Sequence, residues 1–332
     1  MKIRFIFLIG LLTTELIAQA QDPHFTQFDA APFTVNPAYA GVFNGTARLM
    51  ANYRQQWANL VTPFNTAVIS GDVKIGTTSA EDGQHPFNIG MQFMQDQTMA
   101  GAYRSSYGGV MASYHVKLDA ADEQSIGAGL SFNYGNRRVD FSGISFDRQF
   151  ASGGFDLSLP NGEAAMQSMK PFYSIGAGLL FRLSNSLSGT FFDVGFSGYH
   201  FNKPVQTVLD DPKQVIPLRW SGQLTFQQYL NDESLLNVKA LFQKQAETSY
   251  LLAGISVAKL FGEDQGNMIG AGIWYRSGES FAPNAFVEFN QMRVGFSYDI
   301  TYNGMKKTLA PASSYEVSLQ WRIGEMIERG SR

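Results

Sequence analysis

Fourteen stretches in which apolar and polar residues alternate, each about 10 to 16 residues long, cover most of this 332-residue chain and leave few folds open to it. Alternation with period two puts successive side chains on opposite faces of a strand. In 291–301, Met292, Val294, Phe296, Tyr298 and Ile300 share one face, while Arg293, Gly295, Ser297, Asp299 and Thr301 share the other. In 315–323, Tyr315, Val317, Leu319, Trp321 and Ile323 oppose Glu316, Ser318, Gln320 and Arg322. The stretches are 46–57, 64–75, 86–97, 103–118, 124–136, 171–183, 188–199, 217–230, 234–246, 248–260, 267–277, 281–290, 291–301 and 313–324. Strands in globular sheets usually run about five or six residues, whereas a tilted strand crossing a bilayer needs roughly 9–11. Fourteen is also an even number, as in single-chain bacterial outer-membrane barrels. The pattern therefore predicts an all-β fold, a transmembrane antiparallel barrel of about 14 strands, with 12 or 16 if boundaries shift by a few residues.

The chain ends fit export to such a membrane. Lys2 and Arg4 precede the apolar run 5–12, and Ala18-Gln19-Ala20 supplies a small-x-small cleavage pattern, so 1–20 reads as a signal peptide. No later stretch approaches the roughly 18 apolar residues of a membrane helix. The predicted organisation is a non-strand segment at 21–45, a barrel over 46–324 and a periplasmic tail at 325–332. Numbered from the first hairpin, the even connections are mostly short and polar, 76–85 excepted, and the two longest, 137–170 and 200–216, are odd. Short periplasmic turns and long outer loops have this parity when the chain starts in the periplasm. Both termini are then expected in the periplasm, with the protein integral to the outer membrane.

Which face meets lipid decides where the charge goes. With the apolar face outward, the inward face carries Arg48, Arg54, Lys74, Lys117, Arg182, Arg219, Lys239, Arg276, Arg293 and Arg322. Against these stand Asp72, Asp193, Glu288, Asp299 and Glu316. A narrow dry interior would bury unpaired ions at several kcal/mol each, so a wide lumen, hydrated or paired with a plug, is expected. Outward Tyr53, Tyr114, Trp220, Tyr275, Tyr298, Tyr315 and Trp321 are candidates for interfacial girdles. Segment 21–45 lacks alternation, yet Phe25, Phe28, Phe33 and Tyr39 are too apolar for a free tail. It is expected to fold into the barrel or its periplasmic mouth, with basic lumen residues holding Asp22 and Asp29. Three Ile-Gly-Ala-Gly-Leu/Ile repeats, at 126–130, 175–179 and 269–273, admit two readings. Their glycines either relieve crowding in the wall or let a plug approach it.

Catalytic signals are sparse. Cysteine is absent, which removes thiolate chemistry and disulfides together. The four histidines, His24, His85, His115 and His200, are dispersed, and no nucleophile elbow, Walker loop or H-E-x-x-H occurs. Ser113 and His115, two apart on one strand face, are the sole hydrolase-like pair and read more simply as polar lumen residues. No cofactor or metal is expected. A net charge of −3 gives no reason to expect a nucleic-acid partner.

Several short motifs occur in a telling order. Asp22-Pro23-His24-Phe25-Thr26-Gln27-Phe28 is followed by Asn36-Pro37-Ala38-Tyr39-Ala40-Gly41, then Tyr53-Arg54-Gln55-Gln56-Trp57 and Asp72. Trp274-Tyr275-Arg276, Arg293 to Asp299 and Tyr315 to Leu319 complete the series. The chain resembles the PorP/SprF family of outer-membrane proteins associated with the type IX secretion system and gliding motility. The resemblance implies a non-enzymatic barrel that docks or anchors a secreted surface protein or adhesin through its type IX C-terminal domain. It also implies contact with the periplasmic secretion-ring lipoprotein and partner subunits. On the residues alone, a porin or small-solute transporter remains the alternative. Partner binding is expected in the outer loop 137–170, where Phe141, Phe146, Phe150 and Phe155 offer apolar anchors and Arg137 and Arg138 offer charge. Contacts between segment and lumen are expected at Asp22, Phe25, Phe28, Asn36, Tyr39, Arg54, Asp72, Arg276, Arg293 and Asp299.

Overall fold

The computed structural model describes residues 22–60, 62–75, 87–119, 123–140, 145–160, 162, 170–185, 188–206, 213–262, 266–302 and 313–324. The predicted signal peptide 1–20, the predicted tail 325–332 and Phe141 lie outside the described residues. The chain forms β1 (Ala47–Gln56), β2 (Phe64–Ile75), β3 (Phe87–Thr98), β4 (Tyr103–Lys117) and β5 (Gln124–Val139). The next connection contains a small hairpin of β6 (Phe150–Ala151) and β7 (Gly154–Phe155). Then follow β8 (Phe172–Asn185), β9 (Thr190–Tyr199), β10 (Arg219–Asn231), β11 (Ser234–Gln245) and β12 (Thr248–Phe261). The last four are β13 (Asn267–Arg276), β14 (Ser280–Phe289), β15 (Met292–Thr301) and β16 (Ser313–Ile323). Fourteen of these strands pair antiparallel, each with its neighbour in sequence apart from β5 with β8, and β16 returns to β1 to close the barrel. Closure leaves none of the fourteen barrel strands with an unpaired edge, as a sheet in lipid requires.

The alternation fixes which face looks out. On β15, Phe296 is 48% exposed and its neighbour Ser297 is 0% exposed. Apolar side chains therefore cover the outer wall, and polar ones turn inward. Tyr53, Trp220, Tyr275, Tyr298 and Tyr315 lie toward one end of that wall, and Tyr114 and Trp321 toward the other.

The two barrel ends differ in their connections. The turn end carries the even connections, such as 186–189, 232–233 and 290–291. The loop end carries the two longest, 140–171 and 200–218, together with tight links at 246–247 and 277–279.

Residues 22–45 run inside the barrel from one end to the other. Asp22 sits at the loop end, its carboxylate 2.8 Å from His200 Nε2 and 3.0 Å from Arg219 Nη1. Thr46 reaches the turn end, where its N–H donates to the Ile323 carbonyl at 2.8 Å. Between them lie three short 3-10 turns, Phe28–Ala30, Pro32–Thr34 and Pro37–Tyr39. Pro32 and Pro37 open two of these turns with a φ already set, and the Asn36 side chain caps the third by accepting the Ala38 N–H. The expectation that both chain ends lie on one side does not hold for the described residues. Because the segment follows the lumen axis before entering β1, Asp22 and Ile323 occupy opposite openings.

Candidate functional site

The inner wall and the segment it encloses form one continuous polar and aromatic interface. At the loop end, the β1–β16 register sets Arg54 opposite Glu316, and Asp299 follows on β15. Arg54 donates to Asp299 at 2.7 Å, to Glu316 at 3.1 Å and to the Thr26 hydroxyl at 2.9 Å. Arg276 donates to the same hydroxyl at 2.7 Å. Glu316 accepts the backbone N–H groups of Thr26 and Gln27, both at 2.7 Å, and the Asn52 amide at 2.8 Å. Arg54, Arg276, Asp299 and Glu316 are each at most 2% exposed. Charges buried so deeply depend on their hydrogen bonds, and the segment supplies several of them, while Arg54 Nε and Arg276 Nε and Nη1 have none among the described residues.

Around mid-lumen the wall grips the segment by its carbonyls. Ser197 donates to Val35 at 2.5 Å, Tyr199 to Phe33 at 2.6 Å and Arg219 to Thr34 at 2.8 Å. The Asn36 amide donates to the Leu179 carbonyl and to Gln223, each at 3.0 Å. Here two of the repeated glycines find a role: a Cβ at Gly129 would collide with the Pro37–Ala38 backbone, and one at Gly178 with the Asn36 side chain. The third repeat differs, since a Cβ at Gly270 or Gly272 would meet only wall residues. Ser113 donates to the Ala40 carbonyl at 2.7 Å, and His115 Nε2 lies 3.2 Å from the same oxygen. Both side chains hold the segment, and the Ser113 hydroxyl is not directed at His115.

Apolar contacts fill the spaces between. Phe25 packs with Val68, Met94, Tyr107 and Phe172, and Phe33 with Met50 and Met111. Phe28 lies edge-on to Trp274, with ring centroids 5.7 Å apart, beside Leu241 and Leu252. These wall residues point inward although they are apolar, because the segment rather than water covers them.

Toward the turn end the segment draws away from part of the wall. Arg48 pairs with Asp72 at 2.9 Å and also donates to the Tyr39 carbonyl at 3.3 Å, and Asp72 accepts the Gly41 N–H at 2.8 Å. A cavity of about 450 Å³ opens here, with Arg293 on its wall. A second space of about 320 Å³ lies at the loop end beside β1 to β4, lined by Trp57, Phe64, Tyr103 and Asp96.

The loop residues separate into two groups. Phe150 and Phe155 meet across the β6–β7 hairpin with ring centroids 5.1 Å apart, and both stay exposed, at 65% and 57%. Phe146 starts the turn before them, and the buried Gln149 ties that turn to the Leu159 carbonyl at 2.8 Å. Arg137 is not a loop residue. β5 continues to Val139, and the Arg137 guanidinium turns inward, donating to the Tyr107 hydroxyl at 2.7 Å and lying over the Phe172 ring. Arg138 is exposed on the opposite face. Thr26, Gln27 and Asn52 complete the loop-end cluster, yet they are ordinary polar residues whose roles follow only from the path of the segment.

The sequence matches the family described as "Type IX secretion system membrane protein PorP/SprF" over residues 17–321. No curated protein matches it. Among solved structures, similar barrels include the P. putida toluene transporter TodX, at 9% identity and TM-score 0.47, covering 87% of this chain and 93% of that one. A Pseudomonas aeruginosa FadL homologue has 10% identity and TM-score 0.47, covering 86% and 91%. The CymD monoaromatic hydrocarbon channel has 10% identity and TM-score 0.46, covering 89% and 93%.

Proposed function

The chain belongs to the PorP/SprF family of type IX secretion system membrane proteins, and from that premise we propose that it is a non-enzymatic outer-membrane barrel that docks a secreted surface protein. The observation that carries this reading is the occupied lumen. Residues 22–45 are tied to the wall by the buried Arg54–Glu316–Thr26 cluster and by the carbonyl contacts of Ser197, Tyr199 and Arg219. A filled barrel offers surfaces rather than a passage.

In this reading the turn end faces the periplasm and the secretion-ring lipoprotein with its partner subunits. The loop end faces the cell exterior, so the beginning of the mature chain reaches the outer mouth. The partner is a secreted surface protein or adhesin held through its type IX C-terminal domain. Phe150 and Phe155 supply exposed aromatic anchors of the kind that dominate binding energy, and the nearby Arg138 and Arg148 steer the encounter.

Replacing 141–155 with a Gly/Ser linker tests the assignment. Barrel assembly stays intact, because a surface-loop change costs little closure entropy, and the secreted partner no longer co-purifies from outer membranes. Co-purification at wild-type yield would place the docking surface elsewhere.

A further inference from the structure

We propose that the turn-end mouth of the lumen is a carboxylate-binding site, for a ligand carrying one or two carboxyl groups. The cavity there, about 450 Å³, has the size of an ordinary small-molecule pocket. Its wall carries more cations than it can pair. Arg48 is held by Asp72 and Arg182 by Asp193. Lys239 is held by Asp29 and Arg322 by Glu288.

Arg293 is left without an ion pair, because Glu288, which stands opposite it across β14 and β15, is held by Arg322. Its guanidinium lies over the Phe286 ring, 3.6 Å from the centroid, and among the described residues it makes no ion pair. Lys74, behind Phe43 rather than on the cavity wall, donates to the Phe43 carbonyl at 2.6 Å and lies over the Phe43 ring. The register adds to the crowding, since Arg48 stands directly opposite Arg322 on the neighbouring strand. Cations gathered this closely repel one another and favour a counter-charge between them.

A carboxylate answers that need. The planar guanidinium fork matches it with two parallel hydrogen bonds, and the amides of Gln320 and Gln291 line the same wall. The one cation on the cavity wall without an ion pair, Arg293, corresponds to one carboxylate, and Lys74 lies just beyond that wall. The turns around this opening carry Asp119 and Asp232, and a Glu233 paired with Lys259 at 3.6 Å, so the rim does not attract a long polyanion. An acidic side chain of a peptide and a small dicarboxylic acid both satisfy the chemistry.

The test is calorimetric titration of the full chain in detergent micelles with the peptide Gly-Glu-Glu-Gly, and with Gly-Gln-Gln-Gly as its neutral match. The glutamate peptide is expected to bind at least about tenfold more tightly, as one charge-assisted pair requires, and to weaken as salt is raised. Arg293→Gln should lose about that tenfold, and Arg293→Lys, which keeps the charge without the fork, should fall between. Unchanged heat-modifiable migration of the variants shows that they fold. Competition by succinate assigns the site to a free small acid, and its failure to compete assigns it to a peptide; either supports the carboxylate site. Equal binding of the two peptides, no binding of either, or full affinity in Arg293→Gln overturns it.

Discussion

The two ends of the lumen are built from the same ingredients and behave as opposites. At the loop end, Arg54, Arg276, Asp299 and Glu316 are sealed, and the segment bonds to them through the Thr26 hydroxyl and two backbone N–H groups. At the turn end, the Arg182, Lys239 and Arg322 side chains keep 30%, 15% and 26% of their surface exposed around an open cavity. Alternation alone places charges inside the barrel at both ends. What the N-terminal segment brings to each end decides whether those charges form a lock or a hydrated mouth. A buried pair stripped of one partner is strongly unfavourable, whereas an exposed pair contributes little.

That contrast is easiest to break at Glu316. Glu316→Ala leaves Arg54 short of a partner and two segment N–H groups unsatisfied. The expected loss is about 3–5 kcal/mol, read by urea unfolding in micelles, together with faster proteolysis within 22–45. A change below about 1 kcal/mol would mean that the cluster is not a lock.

The middle of the lumen gives an intermediate effect. Gly178→Val and Gly129→Val push a side chain into the segment and should destabilise by about 1–3 kcal/mol, as overpacking does. Gly222→Ala, where a Cβ meets nothing within 4 Å, is the matched control and should be close to neutral. Equal effects at all three positions would contradict close approach of the segment at Gly129 and Gly178.

The turn end should respond least. Lys239→Ala removes a partly exposed pair with Asp29, for an expected loss of about 0.2–1 kcal/mol that shrinks as salt rises. A loss as large as that of Glu316→Ala would remove the difference between the ends.

Much of the barrel was legible in the sequence because lipid enforces alternation on every strand. All fourteen strands fall where the pattern puts them, with ends moved by a few residues. β5, for example, runs on to Val139 because Arg137 can turn inward onto Tyr107 and Phe172. The lumen was less legible. A rule that inward means polar misreads Met50, Leu241, Leu252 and Trp274, which are apolar and inward because they pack on the segment or on one another. The path of residues 22–45 has no periodic signal, since 3-10 turns bonded to a curved wall impose none. Its direction, with Asp22 at the far mouth, follows from His200, Arg219 and Gln245 converging on one residue, which only the folded barrel brings together. In the loop, charge next to phenylalanines resembled a docking surface throughout, but Arg137 belongs to the inner wall, and the exposed pair is Phe150 and Phe155.

The central claim is that the chain closes its own lumen, and single-channel recording in a planar bilayer tests it most directly. The full-length barrel should show no steady conductance, and a variant lacking 22–45 should show a sustained open channel under the same conditions. A steady channel of porin size in the full-length protein, or a deletion variant as silent as the wild type, would contradict it.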